Sequence, residues 1–214
     1  MVLKALAIHM DKLKLRLIKS LRARAETAGI NWSDFSEQTI EVVIFGSRAI
    51  AMNRHDSDLD VLAVGTAARR IKKCGLDLII ISTSDLGSPT WLGSELAGHV
   101  ARYGLWMKGQ GDWRGKVTSG PDTWKQKERR LISLMRSVRN SWTQLHPLFR
   151  LKYRTTIRRE LQRLLLLQRS VPIPPTPFLD SEWQAGKVQY RALVHESEFI
   201  CGEDRNFMLE SVLD

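Results

Sequence analysis

The stretch FGSRAIAMNRHDSDLDVLAV, residues 45–64, carries a Gly-Ser turn and then two aspartates one residue apart at the head of an apolar run. Side chains at i and i+2 of a strand leave the same face, so Asp58 and Asp60 are expected to aim at one point. Two carboxylates held together repel, and one takes a proton unless a cation joins them. Magnesium takes oxygen ligands and is typically bound by one or two carboxylates together with substrate phosphates. Just upstream, Gly46-Ser47 closes the β-branched run TIEVVIF, at a point where a helix is expected to begin. Glycine lets backbone approach a ligand closely, and N–H groups at a helix start hold phosphate oxygens. Ser47 adds a hydroxyl there and Arg48 a charge. Downstream, GLDLIIIS at 75–82 brings a third acid, Asp77, onto a neighbouring apolar strand. Burying three acids with neither cation nor base would be costly.

Working outward, the runs 39–47, 58–65 and 75–82 are nearly continuous in apolar residues, the pattern of strands covered on both faces. Leu3, Leu6, Met10, Leu13, Leu17 and Leu21 recur every three or four positions, predicting an amphipathic helix over 3–25 that Gly29 and Asn31 stop. Residues 94–109 read as a second helix. Together these make one α/β unit over residues 1–110, followed by a turn-rich linker at 109–122. Beyond it, Leu131, Met135, Val138, Trp142 and Leu145 form one helical seam. Phe149, Tyr153, Ile157, Leu161 and Leu165 form another, with His146-Pro147 between them, so a helical hairpin is expected. The second region, 121–214, continues through a stiff VPIPPTP connector at 171–177 to one helix over 182–200 and a weakly specified end.

The chain has 214 residues and a formal charge of +10, a balance that favours anionic partners. The charge is uneven. Residues 114–169 hold 15 Lys and Arg against three acids, whereas 170–214 hold eight acids against three bases. Arg150, Arg154 and Arg158 lie four apart and predict a stripe on one helix face, widened by Arg159 and Arg163. That stripe is the expected contact for nucleic acid or an acidic partner, and the acidic tail is a candidate to fold back and screen it. Two cysteines, Cys74 and Cys201, make no disulfide framework, which points to a reducing cytoplasm. No run approaches the ~20 apolar residues of a membrane span, and the N-terminal residues do not read as a secretory signal. The five histidines lack metal-ligand spacing, which argues against zinc.

GSRA at 46–49, a short loop, and SDLD at 57–60 resemble the signature of the minimal nucleotidyltransferases, small members of the superfamily that includes DNA polymerase beta. The resemblance spans residues 38–109. It implies an α+β fold, with a small mixed β-sheet core flanked by helices and here a C-terminal helical region. It implies two Mg²⁺ ions and transfer of NMP from an NTP to an acceptor hydroxyl with loss of pyrophosphate. Asp58 and Asp60 would ligate metal. Asp77 would complete the second metal site and lie beside the acceptor hydroxyl as base or base-orienting group. Gly46 and Ser47 would hold the β- and γ-phosphates, with Arg48 and Ser57 counted among the nucleotide-binding positions. Many small members have Arg-Gly where this chain has Ile50-Ala51.

Small members of the superfamily serve in toxin–antitoxin systems, modifying tRNA ends or protein side chains. The leading expectation is therefore NMP transfer from ATP to a tRNA or protein acceptor, with a cognate toxin or antitoxin as a further partner. Two other functions stay open. Aminoglycoside-type transferases act on polycations, which sit poorly beside the basic hairpin. A non-catalytic binding module would keep the shell without needing all three acids.

Overall fold

The computed structural model describes residues 2–118, 120–187 and 189–210, with side chains from residue 11 onward except those of 121 and 122. The expected apolar face of Leu3, Leu6 and Met10, and residues 211–214 of the expected weak end, lie outside what is described. The fold is α+β, a five-stranded mixed sheet flanked by helices with further helices toward the C-terminus. It divides into two compact units, one of residues 1–92 and 96–117, the other of 93–95 and 118–214.

In the first unit, α1 (Val2–Thr27) and α2 (Trp32–Gln38) precede β1 (Glu41–Phe45), a single turn α3 (Gly46–Ala49), β2 (Leu59–Gly65), β3 (Arg69–Lys73) and β4 (Leu76–Ser82). Then come α4 (Pro89–Leu92), α5 (Glu95–Tyr103) and β5 (Leu105–Lys108). The strand order is β3-β4-β2-β1-β5, and only the β2–β4 pair is parallel. Alternation sorts the central strands into two apolar faces. Val42, Ile44, Leu59, Val61, Ala63, Leu76 and Leu78 pack with Leu17, Leu21 and Ala25 of α1 and Phe35 of α2. Val43, Phe45 and Leu62 face the other way, against Ala97 and Val100 of α5 together with Trp91 and Trp113.

Three features depart from the sequence expectation. The helix expected over 94–109 ends at Tyr103, and Leu105–Lys108 becomes edge strand β5. Gly104 makes that change of direction feasible: a Cβ there would lie 2.5 Å from the Val100 carbonyl and 2.7 Å from Val43. Strand β3, RRIKK in sequence, is charged and lacks the apolar run expected of a strand. It pairs with β4 through a two-residue turn in which Cys74 (φ 53°) and Gly75 (φ 69°) are both left-handed, the geometry of a tight hairpin. Finally, Trp113 in the turn-rich 109–122 segment is buried, and its indole donates to Glu41 Oε2 at 2.9 Å, so the first unit runs on to residue 117.

In the second unit, α6 (Pro121–Ser141) and α7 (Pro147–Gln168) form the expected hairpin. In place of one helix over 182–200 there are three short ones, α8 (Thr176–Gln184), α9 (Tyr190–Glu196) and α10 (Gly202–Glu210). Gly186 at φ 67° breaks the chain after α8. Tyr190, Leu193, Val194, Ile200, Phe207 and Met208 from this tail are buried with Leu131, Met135, Val138, Ile157, Leu161, Leu164 and Leu165 of the hairpin. The acidic tail thus folds back on the hairpin as expected, and it does so as part of the same apolar core.

The same packing turns the arginine stripe inward. Arg158 is 6% exposed; it reaches Asp180 of α8 at 2.5 Å and lies over the Trp183 ring. Arg159 forks onto both oxygens of Asp180, and Arg163 bonds Glu160 and Thr176. Arg150 donates to the Leu145 and Thr143 carbonyls, and both Arg150 and Arg154 lie over Trp142. Long basic side chains can lay their stems and guanidinium planes along apolar and aromatic surface while pairing with half-buried carboxylates. The five residues therefore do not form the open stripe expected of them. Removing one member of a buried ion pair costs roughly 3–5 kcal/mol, and Arg159 remains to hold Asp180. Arg158→Ala is expected to lower stability by about 2 kcal/mol in urea denaturation, with Arg159→Ala costing less because its side chain is more exposed.

Candidate active site

Asp60 is the second residue of β2, directly opposite Phe45 of β1 on one side and Asp77 of β4 on the other. Paired residues share a face. Asp60 and Asp77 therefore stand on the face shared by Leu62, Val43 and Phe45, at the strand end where β1 gives way to α3. Asp58, two residues before Asp60, joins that side. The structure thus brings Asp58, Asp60, Asp77 and Gly46 together.

Gly46 shows how tightly. Its φ is 72°, in the left-handed region, and a Cβ built on it would meet Asp60 Oδ2 at 2.3 Å. Only glycine leaves room for the backbone to pass so close to the carboxylate. Ser47 follows, half-buried, in α3, which is one turn long and so offers its backbone N–H groups with little of a helix macrodipole. Arg48 ties down the loop that follows. Its Nε donates to the carbonyls of Ser57 and Asp58 at 3.1 and 3.2 Å, and its Nη2 to Ser57 at 2.6 Å. The Ser57 hydroxyl accepts from the Arg54 N–H at 2.9 Å. Arg48 and Ser57 therefore shape the loop that delivers the aspartates.

The carboxylates are held unequally. Burial, followed by the charges of Asp77 and Asp58, pushes the Asp60 carboxyl up to about 6. Asp77 goes the other way: hydrogen bonding from Arg70 holds it below the usual carboxylate range despite its burial. Arg70 Nε and Nη2 fork onto Asp77 Oδ1 and Oδ2 at 2.9 and 2.7 Å. Lys72 Nζ lies 3.5 Å from Asp77 Oδ2 and 3.7 Å from Asp58 Oδ2. The β3–β4 register sets Lys72 opposite Asp77 and Arg70 opposite Ile79, so both bases rise on the carboxylate face. Sequence reasoning missed Arg70 and Lys72. The available signal was a basic run directly before the Cys-Gly turn that leads into the Asp77 strand.

Among the described residues, no group of three or more His, Cys, Asp or Glu side chains is arranged to hold a metal ion. Asp58 and Asp60 still suit a divalent ion shared with phosphate oxygens, and a cation there would offset the burial and the neighbouring acids that push Asp60 up. Asp77 fits a metal less well, because both its oxygens already accept from Arg70. No helix among the described residues is long and apolar enough to cross a membrane.

No protein-family model matches the chain, and no curated protein matches it. Among solved structures, the chain is similar to a nucleotidyltransferase-like protein from Exiguobacterium sibiricum 255-15, with 11% identity and a TM-score of 0.41 over 90% of this chain and 72% of that one. It is also similar to a toxin-antitoxin structure solved with AMP-PNP, with 14% identity and a TM-score of 0.27 over 60% of this chain and 98% of that one. Likenesses this low carry no weight on activity, which rests on the site's own geometry.

Two outcomes follow from that geometry. Because the folded chain raises the Asp60 carboxyl to about 6, it binds more protons than the unfolded chain between about pH 4 and 6. Stability therefore falls as pH climbs through that window. In metal-free buffer Asp60→Asn is expected to exceed wild type by about 2 kcal/mol at pH 7.5, with the gain vanishing by pH 4 in urea titrations. Asp77, with its lowered carboxyl, contributes the opposite sign: its stabilisation is present near neutrality and is lost on acidification. Separately, Ala51 sits at φ 56°, a left-handed conformation that costs a residue with a Cβ about 1–2 kcal/mol. This is the loop position at which many minimal nucleotidyltransferases have glycine. Ala51→Gly is expected to stabilise by roughly 0.5–1 kcal/mol once the looser unfolded chain is offset, measured by thermal or urea unfolding.

Proposed function

We propose that the chain is a nucleotidyltransferase that moves an NMP group from an NTP, ATP in the first instance, to a hydroxyl on a tRNA or protein, as one member of a toxin–antitoxin pair. The observation that carries this reading is the in-register pairing of Asp60 with Asp77, with Gly46 pressed against Asp60. A Gly-Ser turn, an Asp-x-Asp and a third acid on the adjoining strand meet at one end of the sheet, which is the arrangement that NMP transfer requires.

In this reading Asp58 and Asp60 hold a divalent cation, which when bound supplies charge that offsets the attacking and leaving oxygens. Gly46 and Ser47 present backbone and hydroxyl to the triphosphate. The acceptor oxygen bonds to the α-phosphorus, the bond to the bridging oxygen breaks, pyrophosphate leaves, and the hydroxyl proton passes to water. Asp77, held low by Arg70, is a poor proton acceptor, so its part is to orient the hydroxyl. Positioning and preorganised charge do most of the work.

A macromolecular acceptor suits the net charge of +10. With the five stripe arginines engaged inside their own unit, the basic surface falls to exposed residues such as Lys125, Arg129, Arg130 and Lys152. The Arg70 fork on Asp77 also favours a second reading, a binding module in which the third acid is structural.

Incubation with α-labelled NTPs, Mg²⁺ and total tRNA or lysate tests the proposal. Label is expected to reach RNA or protein with wild type and to fall by on the order of 10²-fold or more with Asp58→Ala plus Asp60→Ala. Equal or absent labelling from both overturns it, and a cellular effect unchanged in the double variant selects the binding module.

A further inference from the structure

Resting on the proposed nucleotidyltransferase reading, we propose that the site takes one divalent ion, shared by Asp58 and Asp60, and that Arg70 and Lys72 hold Asp77 in place of a second ion. The inference comes from how the three carboxylates are partnered. Asp77, its side chain 9% exposed, has both oxygens in a guanidinium fork. Such bidentate, charge-assisted pairs are among the strongest and most directional polar contacts. Lys72 Nζ lies within 3.7 Å of both Asp77 and Asp58, so an ammonium bridges the first and third acids, where the resemblance puts the second ion. Asp60 is left beside two acids, Asp77 and Asp58, with Lys72 and Arg48 acting on it only through space.

The topology makes this arrangement a built feature. Strand β3 is at the sheet edge and pairs antiparallel with β4, with Lys72 opposite Asp77 and Arg70 opposite Ile79. Ile71, between them, packs on the opposite face against the α1 core. Anchoring Ile71 there commits Arg70 and Lys72 to the carboxylate side, because neighbours in a strand alternate. A second ion at Asp77 would have to break the fork and would meet two positive side chains at close range. A single ion at Asp58 and Asp60 would meet Lys72 at the rim and the charge of Arg48 nearby, but among the described residues no guanidinium fork on Asp60 that it would have to break. Lys72 then stands where positive charge meets the acceptor side of the reaction, a fixed cation on the chain itself.

Electron paramagnetic resonance of the full chain with Mn²⁺ and a non-hydrolysable NTP analogue tests this, with bound ion counted by equilibrium dialysis. Wild type is expected to bind one Mn²⁺ per chain with the spectrum of an isolated ion. Arg70→Met plus Lys72→Met is expected to double the count and to show the spin coupling of two ions ~4 Å apart. Two coupled ions in wild type overturn the inference and leave the nucleotidyltransferase reading intact. No bound ion in wild type removes the metal reading itself and this inference with it. A folded double variant that still binds a single ion overturns the role given to Arg70 and Lys72. The wild-type count decides alone where the double variant does not fold.

Discussion

The parallel, in-register pairing of β2 with β4 is the constraint from which the site follows. It sets Asp60 beside Asp77 and, in the same register, Leu59 beside Leu76 and Val61 beside Leu78. The apolar pairs pack on α1 and α2, and the acidic pair emerges on the other face. A slip of one residue would drive Asp77 into the apolar layer under α1, because strand side chains alternate with period two. The burial of Leu59, Val61, Leu76 and Leu78, all at or below 1% exposed, therefore fixes where the acids stand. Function at this sheet end is a by-product of the core that holds the opposite face.

That placement has an electrostatic cost, and the chain distributes it unevenly. Two adjacent acids in a half-buried setting repel each other and are poorly solvated. At Asp77 the cost is met locally by β3, whose basic side chains reach over from the sheet edge. At Asp60 nothing comparable is supplied, and Gly46 removes even the side chain that would cover it. The result is one carboxylate paired with a guanidinium and one pushed up by burial and its acidic neighbours, side by side. An asymmetric pair of this kind gives two neighbouring carboxylates opposite shifts from one strand pairing. Perturbed carboxyls gathered in one place are a frequent mark of functional sites.

Much of this was legible before any coordinates, and the parts that were not share a physical cause. Strands β1, β2 and β4 announced themselves because burial on both faces demands continuous apolar runs. The Asp-x-Asp spacing announced a shared face because alternation is strict. Strand β3 gave no such sign. Arg69–Lys73 is an edge strand, half of it in solvent, and its sequence reflects the carboxylates it neutralises more than any core. Strand β5 was hidden for a related reason: Leu105, Trp106 and Met107 continue the apolar pattern of α5, and a single backbone clash avoided at Gly104 decides the break. Ala51 is a further case, since a left-handed alanine leaves no mark in composition and emerges only from φ.

The basic hairpin carries the wider lesson about charge. An excess of Lys and Arg along a sequence suggests a face open to polyanions, yet side chains that long find partners wherever the fold provides them. Here the acidic tail provides them. Asp180, Glu196, Glu203 and Asp204 pair with Arg158, Arg159, Arg169, Arg139 and Arg136. The short tail helices meanwhile bury Tyr190, Val194 and Met208 in the hairpin's core. Apolar burial sets the tail in place, and the ion pairs follow from that placement, because isolated surface pairs are too weak to direct packing. Charge that is segregated along the chain is thereby recombined in space. The positive charge left on the surface is the exposed remainder, and it lies on residues that periodicity alone did not single out.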